Sequence, residues 1–330
     1  IVVSIAVIGA GLSGLVVANL LKDNAKVTIF EKARGASGRL STRRAEPYFF
    51  DHGAQFFKAK TPEFQAFLSP MMEQGIIKEW NARFVEFMKT DVINKRRWNG
   101  TNPNYVGVPG MSAICKYLAK DIDIQFSTRV SEMVDNGSWK LLDSDRNDLG
   151  SFDWVISTAP AQQTAELMPK SFLYYDSVCS TKMVSCFTLM LGFNKELPID
   201  FDAALVGGSD ISWISVNSSK PGRAKGYSLV IHSTNKWAEE HLHDDRNEIM
   251  EYICRHASSI IGVDLTSADH KNIHGWHYAN IQKQPKQDLF IDEKQKLAVC
   301  GDWCIQGIAE AAFISAFNIS NKINEIISGR

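Results

Sequence analysis

The chain of 330 residues reads as an α/β protein in which a parallel-sheet domain is interleaved with a domain of antiparallel sheet and helices. Three observations predict this. A strand–turn–helix–strand unit opens the chain, at about the length a β-α-β unit needs. Two further apolar strands, FDWVIST and LAVC, lie far downstream, and each leads into a helix pattern. Among the segments between them, 80–88 and 96–99 alternate weakly, as antiparallel strands do, and 184–231 is strand-rich.

In chain order, residues 5–8 form a continuous apolar run, as expected of a strand buried on both faces. The turn spans Gly9–Gly14, residues 15–21 have helix composition, and residues 27–30 form a second apolar strand ending at Glu31. The segment RGASGRLSTRR, Arg34 to Arg44, has almost nothing apolar and is expected to be a solvated loop. Residues 48–57, with DHGAQFF at their centre, read as a short strand and turn. Thr61-Pro62-Glu63 opens a helix to about Gln74, with Pro at the first helical position. Weak alternation over 80–88 and 96–99 suggests antiparallel strands, and a helix is expected over 111–119.

Short strands are expected over 122–126, 129–134 and 138–142, the last two joined by Asp135-Asn136-Gly137. FDWVIST is a strand, and Ala159-Pro160 starts a helix. The pattern is strand-rich over 184–231. A long helix is expected over 244–261, an aromatic strand over 271–278, a last strand over 297–300 and a last helix over 307–327. The expected domains are therefore discontinuous. Residues 1–60, 105–160 and 285–330 build the parallel-sheet domain, and 61–104 and 161–284 the other.

With 45% hydrophobic and 22% charged residues the composition is that of an ordinary globular protein, and the net charge of −1 argues against a nucleic-acid or membrane-surface role. The six cysteines form no C-x-x-C pair, and a reducing cytoplasm is the expected setting. No stretch reaches the ~18 apolar residues of a membrane span. IVVSIAVIGAG lacks a basic leader and cleavage site, so it reads as a strand and not a signal peptide. The chain starts without Met, and residues are expected to precede it.

Gly9, Gly11 and Gly14 have G-x-G-x-x-G spacing. Gly9 permits the turn, Gly11 lets the backbone approach a pyrophosphate, and Gly14 lets helix pack on strand. Glu31 lies about 20 residues on and suits a ribose diol, favouring NAD or FAD over NADP. The basic loop narrows the choice. A glycine–arginine loop directly after the acid is common in flavoproteins, and here Glu31 is followed by Lys32, Ser37, Gly38 and Arg39. Gly38 would let the chain turn beside FAD. Arg39 would lie along the pyrophosphate or near the flavin edge, with Arg43 and Arg44 adding to the field. Near the C-terminus, AVCGDWC supplies Gly301 and Asp302, where the acid would cap a helix and bind a ribityl hydroxyl. The helix from Ile308 and Ala309 would then direct its N-terminal dipole at the flavin.

With these motifs the chain resembles the renalase-like members of the flavin-containing amine-oxidase superfamily over nearly its whole length. The resemblance rests on GAGLSG, GRLSTR, DHGAQFF, VPGMSAICKYL, STRV, VISTAP, SLVIHST, HGWHYAN and CGDWC. It implies a GR-type (Rossmann-like) FAD-binding domain with p-hydroxybenzoate hydroxylase-like topology and non-covalent FAD. Val130 would hold the adenine, and Gly53, Ala54 and Gln55 would lie near the flavin ring. It implies an oxidase that takes hydride from 2- or 6-dihydro isomers of NAD(P), with oxygen as the acceptor. Ser37 departs from the pattern, which has glycine there.

Trp276, His277 and Tyr278 sit on the aromatic strand and could line the flavin's open face, or simply fill a core. His232 and Trp213 are further pocket candidates with the same alternative. No acid–base dyad is evident. His241, His243, Asp244 and Asp245 sit at a polar helix start and read as a solvated cap, so no metal site is expected. Four alternatives stay open: an amine oxidase, a carbon–carbon desaturase, a non-catalytic FAD-binding protein and an NAD-dependent dehydrogenase. The expected partners are a small-molecule substrate and oxygen.

Overall fold

A computed structural model gives the fold, and it describes residues 2–283, 285, 287 and 289–329. The chain forms two compact units. The first comprises Ile1–Gly38, Cys115–Met183 and Asn280–Arg330, and the second Arg39–Ile114 and Val184–Ala279.

The first unit is built on a six-stranded sheet. In spatial order its strands are Phe290–Asp292, Leu297–Val299, Trp154–Ser157, Ser4–Ile8, Lys26–Phe30 and Asp123–Gln125. The last five run parallel, and Phe290–Asp292 is an antiparallel edge. Ser4–Ile8 is central, with Ile5 registered against both Trp154 and Val27. Ile5, Ala6 and Val7 are fully buried. Such double-sided burial is why the strand has no polar face, and each large apolar side chain so buried is worth about 1.5–3 kcal/mol. Helix Leu12–Leu21 meets helix Ala309–Ser328, where Ser13 Oγ donates to the Ala312 carbonyl at 2.9 Å. The sheet thus draws strands from the start, middle and end of the chain, as the sequence predicts for interleaved domains. A three-stranded antiparallel sheet, Val130–Asp135, Trp139–Asp143 and Asp148–Phe152, completes the unit, its first turn falling at the predicted Asn136-Gly137.

The second unit is built on a seven-stranded sheet. Its order is His270–Ile281, Met183–Phe193, Tyr227–Ser233, Ile211–Val216, Ala203–Gly207, Arg83–Met88 and Asp91–Arg97. One junction departs from the antiparallel expectation. Ala203–Gly207 pairs in parallel with Arg83–Met88, which a chain re-entering the sheet after a long excursion can do. One face carries Phe187, Leu189, Leu191, Ile214, Leu229 and Ile231 against Ile249, Ile253, Ala257 and Ile260 of helix Arg246–Ile261. That helix starts where the Asp245 carboxylate accepts the Asn247 and Glu248 N–H groups, and it stops at Gly262, whose φ of 68° is left-handed.

The opposite face holds Met190 and Val230. A ribbon of Arg43–Ala45 paired with Tyr48–Phe50 covers them with Tyr48 and Phe50. This ribbon corrects the expectation that Arg34–Arg44 is a solvated loop. Arg34 and Gly35 are exposed, but Ala36 and Leu40 are buried, and Arg43 begins a strand. It also explains why residues 39–60 pack with the second unit, where the sequence reading placed them in the first. Their apolar side chains are spent on the second sheet. The unit boundaries fall after residues 38, 114, 183 and 279, where the sequence suggested 60, 104, 160 and 284. Residue 284 itself lies outside the described residues. Helix Asn235–His241 and strand Asp148–Phe152 were not foreseen.

Candidate functional site

In the first unit the glycine turn is a cradle made of backbone. A Cβ on Gly9, whose φ is 104°, would come within 2.7 Å of Thr158 Oγ1, and one on Gly14 would come within 1.9 Å of the Gly9 carbonyl oxygen. These two glycines are required by the protein's own packing. Gly11 differs. A Cβ there would meet only the Gly38 Cα, at 3.8 Å, so it would fill the space before the helix N-terminus. Gly11 is the N-cap, and no side chain caps the helix. The geometry suits an anion seated on the first turn.

Glu31 is buried, and its carboxylate accepts the Ala10 N–H at 2.7 Å and the Ala33 N–H at 2.8 Å. It therefore ties the glycine turn to the start of the basic loop. One bond at each oxygen leaves lone pairs for a ribose diol. Gly38, at φ 53°, packs its backbone against Gly11. Lys32 is exposed beside this loop. Val130 is buried at the start of its strand. Further along, the Gly301 N–H donates to Ser315 Oγ at 3.1 Å, and the Asp302 carbonyl accepts the N–H groups of Ile305, Gln306 and Gly307. Ile308 is the N-cap of the helix that begins at Ala309, and no side chain caps it. Gly9, Gly11, Gly14, Glu31, Gly38, Val130, Gly301, Asp302, Ile308 and Ala309 all belong to this one unit.

In the second unit the segment Asp51–Phe57 crosses the sheet face opposite the helix. A Cβ on Gly53 would come within 1.9 Å of the Arg39 carbonyl oxygen, and the Ala54 N–H donates to that oxygen at 2.8 Å. Glycine is what allows the two backbones to touch. Arg39 Nη1 donates to the Ala279 carbonyl at 3.2 Å. Arg43 donates to His274 Nδ1 at 3.2 Å, while Arg44 pairs with Glu46 at the surface. The two later arginines of the loop therefore bond within the second unit.

Asp51 anchors the segment. Its carboxylate, fully buried, accepts from Thr42 Oγ1 and the Met111 N–H at 2.9 Å, from Lys220 Nζ at 3.1 Å and from Arg223 Nη2 at 2.6 Å. Burial alone would raise its pKa, but Lys220 and Arg223 hold it at about 2. Burial pushes the Lys220 ammonium down to about 8, against the pull of Asp51. None of these three groups was singled out from the sequence.

Gln55 sits at the centre of a polar line. Its Oε1 accepts from Ser215 Oγ at 2.9 Å, Trp213 Nε1 at 3.3 Å and Lys220 Nζ at 3.5 Å. Its Nε2 donates to the Asp51 and Gly53 carbonyls at 2.5 and 3.0 Å and faces His232 Nε2 at 3.5 Å. Burial, then Lys220, pushes the His232 pKa down to about 4. At the other end of the segment, Trp276 Nε1 donates to the His52 carbonyl at 2.9 Å. The rings of His52, His274 and Trp276 meet, with centroid separations of 4.4–5.1 Å. Burial lowers the pKa of His52 to about 3 and that of His274 to about 4. Both rings are neutral at neutral pH.

On the aromatic strand the ring of Trp276 meets those of His274 and His52, and the rings of His277 and Tyr278 lie 6.3 Å apart. Strand alternation turns neighbours to opposite faces. The structure puts Trp276 with His274 and His52, while Gly275, on the other face, lies beside Arg246 and Phe187, so His277 shares that helix-facing side and is exposed. His52 and His274 are two further residues that the sequence reading missed. His52 lies inside the quoted DHGAQFF and His274 inside HGWHYAN, so the signal was present, but only the strand's parity selects them. His241 stacks on Trp237 and bonds its carbonyl, and Asp245 caps the following helix.

A glycine turn at a bare helix N-terminus, an acid ending the second strand and a parallel sheet assembled from distant segments define a dinucleotide-binding protein of Rossmann-like fold. Residues 7–70 match the NAD(P)-binding Rossmann-like domain, and residues 84–324 match the flavin containing amine oxidoreductase family. The chain belongs to the flavin-containing amine oxidoreductase family, and it is an FAD-dependent oxidoreductase. Its fold is similar to a solved structure described as "Putative protoporphyrinogen oxidase" from Exiguobacterium sp. 255-15. The TM-score is 0.81 over 99% of each chain, at 11% identity. Among the described residues no helix is long and apolar enough to cross a membrane.

Proposed function

We propose that the protein is a renalase-like oxidase, taking hydride from 2- or 6-dihydro isomers of NAD(P) to give NAD(P)+, with oxygen reduced to hydrogen peroxide. The observation that carries this reading is the state of the sheet face in the second unit. Its rings, Trp276, His274, His52 and His232, are neutral, and its carboxylate, Asp51, is locked between two cations. A dihydropyridine that becomes aromatic on losing hydride needs no strong base, and flat neutral walls suit its ring.

In this reading Gly9, Gly11, Gly14, Glu31, Lys32, Gly38 and Val130 hold the ADP part of FAD, and Gly301, Asp302, Ile308 and Ala309 the ribityl and flavin end. Arg39, Gly53, Ala54 and Gln55 approach the ring. FAD, when bound, supplies the two-electron acceptor that the chain itself lacks. The protein's part is positioning and exclusion of water. The reading takes the binding as non-covalent, and the Cys304 thiol, whose pKa burial raises well above the ordinary value, is a poor nucleophile for attaching the flavin. The unpaired cysteines suit a reducing cytoplasm.

Anaerobic stopped-flow mixing of the yellow holoprotein with 2-, 4- and 6-dihydro-NAD, and separately with primary amines, tests the reading. Fast flavin bleaching by the 2- or 6-isomer is the expected result. Bleaching by amines alone would move the activity to amine oxidation, the reading that the family description favours.

A further inference from the structure

We propose that Lys58 and Arg96, at the rim of an aromatic shelf in the second unit, form an anion subsite that takes the phosphates of the substrate dinucleotide. The identity of the ligand rests on the preceding reading, and the subsite itself rests on the geometry of the sheet face.

The shelf is a set of rings on the face that carries Gln55. Trp213 and Ser215 both bond the Gln55 amide, so they point to that side. The rings of Phe56, Trp98 and Trp213 meet at centroid separations of 4.9–6.5 Å, and Phe84 stacks on Trp98 at 5.0 Å. Phe56 and Trp98 are half-buried, and Leu205, which registers against both Trp213 and Glu86, is exposed. The face is therefore apolar and open to solvent along that row.

The register leads from this shelf to the cations. Ser215, Ala203, Phe84 and Arg96 lie opposite one another on four adjacent strands. Three strand spacings put Arg96 about 14 Å from Ser215. The Arg96 guanidinium lies over the Phe84 ring, 4.5 Å from its centroid, and meets Glu86 Oε2 at 3.3 Å. Lys58 comes by the chain itself. It stands three residues after Gln55, so the two Cα atoms are at most about 11 Å apart.

Lys58 is half-buried, and its ammonium donates to the Asn102 carbonyl at 3.2 Å. Among the described residues no carboxylate pairs with it. Burial, then Lys60 and Arg96, push its pKa below the ordinary lysine value. A half-buried ammonium beside two like charges is short of negative charge, and a phosphate supplies it through charge-assisted hydrogen bonds. The chain as a whole carries a net charge of −1, so the excess is local. Flat walls near Gln55 and an anion site one short stretch of chain away describe a ligand with an aromatic head and a phosphate tail. A dinucleotide has both parts, and a simple primary amine has no phosphate.

Anaerobic flavin bleaching of the holoprotein tests this with two compounds, the 2- or 6-dihydro isomer of NAD and the riboside of the same dihydronicotinamide, which lacks phosphate. The wild type should half-saturate with the dinucleotide at a concentration about tenfold lower than with the riboside. Lys58→Gln should remove most of that advantage, Arg96→Gln should reduce it less, and Lys58→Arg, which keeps the charge, should restore it. Added salt should shrink the wild-type advantage. An advantage that Lys58→Gln leaves intact, or that Lys58→Arg loses equally, would overturn the subsite. If neither compound bleaches the flavin, the dihydronicotinamide reading fails, and calorimetric titration with inorganic pyrophosphate decides the subsite alone. Wild-type binding that Lys58→Gln weakens about tenfold would keep it for another phosphate-bearing substrate. Binding that is absent, or equal in the two proteins, would overturn it.

Discussion

Glu31 and Asp51 are both buried carboxylates that hold a loop, and they do so by different physics. Glu31 accepts two backbone N–H groups, 21 residues back and 2 residues on. Asp51 takes two cations, 169 and 172 residues away, as well as Thr42 and Met111. The first arrangement is local, keeps lone pairs for a ligand and asks little of the side chains around it. The second is closed on itself. It fixes the segment that presents His52 and Gln55, and it is costly to break, because each charge is buried only by virtue of the others.

The difference should be largest when each acid is neutralised. Asp51→Asn leaves Lys220 and Arg223 without their carboxylate and should cost about 3–5 kcal/mol in urea unfolding. Glu31→Gln keeps shape and should cost about 1–3 kcal/mol, with FAD retention in gel filtration the more sensitive readout. Equal losses of stability would erase the distinction. Next comes the glycine turn. Gly14→Ala must push the Gly9 carbonyl away and should destabilise the apoprotein by about 1–3 kcal/mol or more. Gly11→Ala should leave the apoprotein's melting temperature nearly unchanged yet weaken FAD binding, which calorimetric titration would show.

Acid should act on the second unit. The folded pKa values of His52, His232 and His274 lie below the ordinary 6.5, at about 3 to 4. Between those values the unfolded chain binds more protons, so stability is lost as pH falls from about 6.5. Asp51, at about 2 against 3.8, adds its own loss only below pH 3.8. Urea midpoints from pH 7 to 4 should therefore fall, and replacing His232 by Gln should flatten the slope. A small effect is expected for Trp276→Phe. It removes the bond to the His52 carbonyl and should cost about 0.5–1.5 kcal/mol, seen as a small drop in melting temperature.

The first unit was the more legible in the sequence. Its turn, acid and strands follow one another within a few dozen residues, and their spacing encodes the geometry. The second unit was legible as strands but not as a site. DHGAQFF and HGWHYAN were visible as motifs, yet nothing local says that His52 meets Trp276, or that Asp51 needs Lys220. The reading of Arg34–Arg44 as a solvated loop failed for a related reason. Charge alone suggested a solvated loop, whereas the burial of Tyr48 and Phe50 against Met190 and Val230 turned the segment into a ribbon.

The sequence by itself determined the dinucleotide turn, its acid, the interleaving of two sheets and the FAD cofactor. Backbone conformation and strand burial write themselves into residue type at short range. Only the tertiary structure decided which histidines share a face and which charges are locked away. Those properties arise from contacts between segments more than a hundred residues apart, and at that separation residue type carries no register.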